Sequence, residues 1–568
     1  MKDCNSIIDY LNSMNNAGAN SVNALAESQV TSEYYAQIYI KSTIGEKIVE
    51  QLNEEKCAYI ITGHAGDGKT SVLVQILKEM RLLADKEKLV EERQYSDLYY
   101  VKDMSEITKP NRKVELLKKT LTAPDRNSSA ILVSNTGPLL KTFKALIQAD
   151  KERSGLEYTD ADEAEIENAL LKQMDENADV HTKIGGYRFR LINAARIDNV
   201  SFARKMIDKL TNESLWQPCE ECAKRKYCPF KRNIECLSKH KKRMTSFVEY
   251  FYRYLYENDS RLTIRQMMAH ISYSITGNRS CKDVKANDEK ALYKYNFANL
   301  FFGYIGERAD LSAKQLKAVR LLNEQKPDKR SLREDYTLFV KRAWNEVLPS
   351  DVRELLKGAS DMANDEARRA VRRFFLFYGK YESEDELRGL IDYIYGADFC
   401  AYVDSIMSGD EDYAEELSDL IFETLYRINC GTKPRNNDDL YLTLRRREDG
   451  FKNVMVITGK CDREVWTVEL EEINSAYSEA KYQIVFKTDD DSMAISYPLI
   501  KYMHSITDGK IVSSNNPMLT HGIDKLNAML YAQAGGARGR NDIRLWINAR
   551  GEAKIKTLSI KSDGLRIR

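Results

Sequence analysis

The sequence predicts an α/β core, with a parallel sheet flanked by helices, then a large helical region and a smaller α+β domain. Three observations carry this. Short apolar runs alternate with helical patterns between Ala58 and Ile192. From about residue 201 to 430 the pattern is helical and rich in Tyr and Phe. Beyond a turn at Gly431–Asp439, alternation of period two returns. At 568 residues the chain exceeds one core, and about three or four modules of ~150 residues are expected.

Residues 1–30 read as a polar segment rich in Asn, Ser and Ala, and 31–215 as the α/β domain. Residues 31–57 read as helical, with Tyr34, Ile38, Ile40, Ile44, Ile48 and Leu52 as packing positions. Strands are expected at Ala58–Thr62, Leu98–Val101, Ala130–Ser134 and Phe189–Ile192. Within 216–430, stretches such as Ser246–Leu255 and Ala367–Phe375 place aromatics at helical spacing, which reads as core. In the last domain, 431–568, strands are expected at Leu440–Leu444, Val454–Thr458, Tyr482–Phe486 and Met493–Tyr497.

Between the first strand and the helix at Ser71–Lys78 lies Gly63-His64-Ala65-Gly66-Asp67-Gly68-Lys69-Thr70, followed by Ser71. It fits the G-x-x-x-x-G-K-[ST] phosphate loop in its expected strand–turn–helix context. Three glycines let the backbone curl so that its N–H groups face a phosphate, and the helix N-terminus adds partial positive charge. The expectation is a P-loop NTPase core that binds ATP. Lys69 would reach the β- and γ-phosphates and Thr70 would hold Mg²⁺. Asp103, after the second strand, is the acidic residue available to the metal, although Lys102 interrupts the apolar run; its alternative role is a turn cap. Glu106 is placed to position water. Asn135, at the end of the third strand, is either a γ-phosphate sensor or a turn residue. Arg265, Arg368, Arg369, Arg372 and Arg373 are available as arginine fingers, with most expected on helix surfaces.

The chain has 87 Lys and Arg against 86 Asp and Glu, so its overall charge does not announce nucleic acid. Local runs do concentrate charge: residues 219–243 and 535–568 each hold nine basic and three acidic residues. No run of 18 apolar residues and no signal-peptide pattern occurs, so a cytoplasmic protein without membrane contact is expected. Of ten cysteines, four cluster as Cys219, Cys222, Cys228 and Cys236, spaced C-x₂-C-x₅-C-x₇-C. Four thiolates within 18 residues suit one tetrahedral Zn²⁺, with His240 as a substitute ligand. A [4Fe–4S] cluster and four free thiols are the alternatives. A closed Cys₄ site would be structural, pinning an insertion whose basic residues face DNA phosphates or an acidic protein surface.

The phosphate loop, Val101-Lys102-Asp103-Met104-Ser105-Glu106, and Trp216-x₂-Cys219-x₂-Cys222-x₅-Cys228-Pro229-x₃-Asn233 occur in one order. In this the chain resembles the DptF-like DNA phosphorothioation-dependent restriction proteins, bacterial defence P-loop ATPases. Leu262-Thr263-Ile264-Arg265 and Ile275-Thr276-Gly277 extend the likeness, which spans roughly residues 31–380. The resemblance implies an ATPase component of a multi-protein antiviral restriction system acting on DNA that lacks phosphorothioate. DNA would be met directly or through other restriction-system subunits. Homo-oligomerisation is compatible with this. Nuclease activity is expected in a partner, since no nuclease motif is evident. The competing expectation is a STAND-type signalling ATPase in which ATP holds an on-state; a module using ATP only for stability is a third. No second phosphate loop or helicase motif series favours a helicase.

Overall fold

The computed structural model describes all residues except 1–4, 16–31, 86, 288–291, 357–363, 381–382, 436–438, 445–452, 474–478, 511–515, 535–541, 550–551, 562–563 and 568. Two compact units divide the chain. One comprises 1–256, 260–395 and 474–479; the other 257–259, 396–473 and 480–568. The main stretch of the second unit starts at Gly396 and so includes residues ahead of 431. The helices Ala397–Ser408 and Asp412–Cys430 belong to it, because the latter packs on strands of that unit, Leu440–Thr443 and Thr467–Glu472.

The first unit is built on a six-stranded sheet. Its strands are β1 (Ala58–Thr62), β2 (Glu92–Gln94), β3 (Leu98–Val101), β4 (Ser129–Val133), β5 (His181–Ile184) and β6 (Tyr187–Asn193), in the order β2-β3-β4-β1-β6-β5. β3, β4, β1 and β6 run parallel. β2 and β5 are antiparallel edges that the apolar pattern did not reveal, being short and partly exposed. Of the parallel strands, β1, β3 and β4 are mostly apolar and buried along their whole length, as strands covered on both faces must be, whereas β6 carries Arg188 and Arg190 and is buried mainly toward its end. Alternate residues go to opposite faces. Tyr59 and Ile61 pack with Ile48 and Leu52 of the helix Thr43–Glu54 and with Leu73 and Ile76 of the helix Lys69–Glu79. Ala58 and Ile60 pack with Leu117 of Pro110–Leu121, Phe143 of Thr136–Arg153 and Leu170 of Asp160–Glu176.

The helical part of this unit includes Pro229–Lys239, Lys241–Glu257, Ile264–Thr276, Phe297–Phe301 and Asp365–Tyr378. Its aromatics are core: Phe247, Phe251, Phe297, Phe301 and Phe377 are buried and stack edge-on. The polar N-terminal segment contains more structure than its composition suggests. Ile7–Asn15 is a helix that buries Ile7, Ile8, Leu11 and Met14 and packs against Ile264–Thr276; residues 1–4 and 16–31 lie outside the described residues.

The second unit is α+β. One antiparallel sheet orders Leu440–Thr443, Val454–Cys461, Asp542–Ala549, Glu552–Lys561 and Gly564–Ile567; a second holds Thr467–Glu472, Tyr482–Lys487 and Ser492–Ala494. The strand expected to reach Tyr497 stops at Ala494. Pro498, which suits a first helical turn, opens the helix Tyr497–Thr507 instead. No helix among the described residues is long and apolar enough to cross a membrane.

Candidate nucleotide-binding site

At the end of β1 the chain turns through Gly63–Gly68 into the helix Lys69–Glu79. Gly63, Gly66 and Gly68 have φ of 138°, 93° and 83°, which glycine adopts without strain. The turn is also crowded. A Cβ at Gly66 would lie 3.0 Å from Thr263 Oγ1, and one at Gly63 would lie 3.0 Å from the Ala195 nitrogen. Gly68 caps the helix without a side-chain acceptor, leaving first-turn N–H groups for an anion.

Lys69 is buried. Its Nζ donates to the Gly63 carbonyl at 3.2 Å, the His64 carbonyl at 2.7 Å and Asn135 Oδ1 at 3.0 Å. Burial lowers its pKa; the carboxylates of Asp67 and Asp103 act in the opposite sense, and Arg265 adds to the lowering. Sheet register brings these groups together. Ile61 pairs with Val133, and Leu132 with Val101, so the residues following β1, β4 and β3 emerge at one edge. Because β4 lies between the other two, Asn135 stands between the loop and Asp103. The Asn135 backbone N–H donates to Ser105 Oγ at 2.7 Å. Asp103 Oδ1 accepts from the Ser105 N–H at 2.8 Å, so it caps the turn Met104–Glu106 while its charge reaches Lys69. Glu106, expected to position water, is exposed and pairs with Lys102 at 3.4 Å. Ala65, Thr70 and Ser71 complete the loop and first helical turn.

Three residues that strand reasoning did not place here come from the helical region. Arg261 Nη1 donates to Asp67 Oδ1 at 2.7 Å, and Asp67 Oδ2 accepts from the His64 N–H at 2.8 Å. The Arg265 N–H donates to the Gly66 carbonyl at 3.3 Å. Thr263 caps the helix Ile264–Thr276 in a box with Gln266. That T-x-x-Q pattern is legible as a helix start; its proximity to the loop is not. Of the other expected fingers, Arg369, Arg372 and Arg373 are not on a surface. All three are buried, with Arg369 and Arg373 at Asp328 and Arg372 at Asp335, because the helix Asp365–Tyr378 is enclosed by the aromatic core.

The four clustered cysteines are not gathered into one set of ligand atoms. Cys219, Cys222 and Cys228 lie within electrostatic reach of one another. Cys219 Sγ accepts from Asn5 Nδ2 at 3.5 Å, and Cys228 stands at the N-cap of Pro229–Lys239 without a side-chain cap hydrogen bond. Cys236 is eight residues further along that helix, about 12 Å by helical rise. Its thiol is pushed up to about 12 by burial and by Asp351. As folded, the helix sets Cys236 apart, and Cys219, Cys222 and Cys228 do not form a set of three ligand atoms within 4.8 Å of one another. His240 is bound to Asp351 at 3.3 Å.

Among the described residues one set of three ligand atoms lies within 4.8 Å: Glu55, Cys57 and His181, at the opposite end of β1. Arg190 already supplies its cation. Nη2 donates to Glu55 Oε1 at 2.8 Å, the same oxygen that meets His181 Nε2 at 3.0 Å. Arg190 holds the Glu55 carboxyl below its usual range, and burial pushes the Cys57 thiol up to about 11. The set is an ion-paired cluster. No protein-family model, no curated protein and no solved structure matches the chain.

Proposed function

We propose that this chain is the ATP-binding and ATP-hydrolysing component of a bacterial multi-protein DNA restriction, anti-phage defence system, with cleavage assigned to a partner subunit. The observation that carries the ATPase reading is Lys69. A buried ammonium is held by two loop carbonyls and Asn135 at the edge where three parallel strands end. ATP would exchange those carbonyls for β- and γ-phosphate oxygens. Thr70 and Asp103 would hold Mg²⁺, which supplies charge neutralisation when bound. Asn135, released from Lys69, would be free to contact the terminal phosphate or its attacking water. The restriction context and the DNA partner rest on the order of motifs shared with the DptF-like proteins.

The test is phosphate release by the wild type and Lys69→Ala, with and without unmodified duplex DNA. Turnover that rises with DNA and disappears in the variant is the expected result. A signalling switch is the second reading, favoured by the bond between Asp67 of the loop and Arg261 of the helical region. Tight ATP binding with little turnover and no response to DNA would select it.

A further inference from the structure

The segment Arg261–Arg265 lies directly on the phosphate loop. Arg261 is fixed at three points: Nη1 on Asp67 at 2.7 Å, Nη2 on the Ala194 carbonyl at 3.0 Å and Nε on the Ile197 carbonyl at 3.3 Å. The Asp67 side chain is fully enclosed, so this pair is shielded from solvent and salt. Asp67 would otherwise oppose the phosphates it adjoins; Arg261 cancels that charge. Lys317 Nζ donates to the Arg261 carbonyl at 2.9 Å and holds the segment from its other side.

Arg265 differs from Arg261. Its backbone is seated on the Gly66 carbonyl, and its Cβ is 3.2 Å from where a Cβ on Gly66 would stand. Its side chain is half-buried, and no carboxylate pairs with it among the described residues. Its charge is felt by Lys69. Lys69 feels the carboxylates of Asp67, which Arg261 already binds, and of Asp103, whereas Arg265 has no carboxylate partner of its own among the described residues. Partly desolvated, unpaired positive charge at a phosphate loop is unfavourable unless an anion completes it.

We infer that Arg261–Arg265 is an arm acting within one chain, in which Arg261 is a positioning residue locked to the loop through Asp67 and Arg265 takes the terminal phosphate of the nucleotide. The inference rests on the nucleotide reading of the loop. It makes the helix Ile264–Thr276, in whose first turn Arg265 lies, the element that distinguishes ATP from ADP.

Calorimetric titration of the full chain with Mg²⁺ and either ATPγS or ADP tests this. The wild type is expected to prefer ATPγS. Arg265→Gln should weaken ATPγS at least about tenfold, the scale of one charge-assisted hydrogen bond, and leave ADP within about twofold. Arg265→Lys should restore part of the preference. Arg261→Gln should weaken both nucleotides together, because it releases the loop. Melting temperatures of each variant separate these losses from unfolding, and the lysine variant serves if the glutamine one does not fold. An unchanged ratio of ATPγS to ADP affinity in the folded Arg265 variants overturns the inference and leaves the nucleotide reading standing. Absence of binding by the wild type, with Lys69→Ala indistinguishable from it, overturns both.

Discussion

The two ends of β1 carry charge clusters built from similar residues, and they differ in one respect. At the start of the strand, Glu55 and Asp179 face Arg190, Lys47 and His181, and every carboxylate has a cation within 3.0 Å. At its end, Asp67 is matched by Arg261, yet Lys69 is held by two carbonyls and Asn135, and Arg265 pairs with no carboxylate among the described residues. A matched cluster holds edges of a sheet together. An unmatched one has a place for an anion. The unmatched end is also where ligands bind in open parallel sheets, outside the carboxyl ends of the strands. Ligand-type residues therefore do not identify a site by themselves, since Glu55, Cys57 and His181 look like a metal set and are already satisfied by Arg190.

The comparison breaks first at Lys69. Lys69→Ala should reduce ATP turnover by at least about 100-fold, as expected when a preorganised charge is removed from a phosphoryl-transfer site; turnover near wild type would remove the asymmetry between the two ends. Metal content sharpens it next. If the chain carries zinc at the cysteine run, Cys222→Ser should lower the zinc measured by elemental analysis and Cys57→Ala should leave it unchanged, and the reverse pattern would move the metal to the matched cluster. Protonation tests a group in the helix that carries Arg265. His270 is buried, with Nδ1 bonded to the Tyr252 hydroxyl and Nε2 to the Phe301 carbonyl, each at 2.8 Å, and burial lowers its pKa to about 4. The folded value lies below that of the unfolded chain. Its contribution is therefore complete above pH 6.5 and is lost as pH falls toward 4, about 2 kcal/mol between pH 7.5 and 5. Denaturant midpoints of wild type and His270→Asn across that range should converge at low pH. Asn135→Ala should lower kcat about tenfold with little change in nucleotide affinity, measured by steady-state phosphate release. The smallest effect belongs to the matched end. Arg190→Ala should cost roughly 1 kcal/mol, because its partners Glu55 and Asp179 are partly exposed, and should leave ATP turnover within about twofold. A large loss of turnover there would show that the two ends are coupled.

The cysteine run shows why spacing is a weaker guide than the loop motif. In Gly63–Thr70 the spacing is enforced by a strand on one side and a helix on the other, so eight residues have one way to fold. Between Cys219 and Cys228 the chain runs through short turns that do not bring the three thiols into one ligand set. The last interval then becomes a regular helix, which carries Cys236 away toward Asp351. A spacing compatible with four ligands is equally compatible with thiols held apart by the turns and the helix that carry them. The arginines of Asp365–Tyr378 make a similar point: helical periodicity marks which residues share a face, not whether a second layer covers it.

By itself the sequence determined the local features: the apolar strands, the glycine-rich turn between strand and helix, the helix start at Thr263, and the aromatic faces of the helical region. These follow from backbone conformation and side-chain polarity within a few residues of each other. Only the tertiary structure decided the order β3-β4-β1-β6, which sets Asn135 between the loop and Asp103. It alone brought Arg261 to Asp67 across 194 positions. Such meetings depend on which apolar faces pack together, and the pattern along one segment carries no record of the partner it will find.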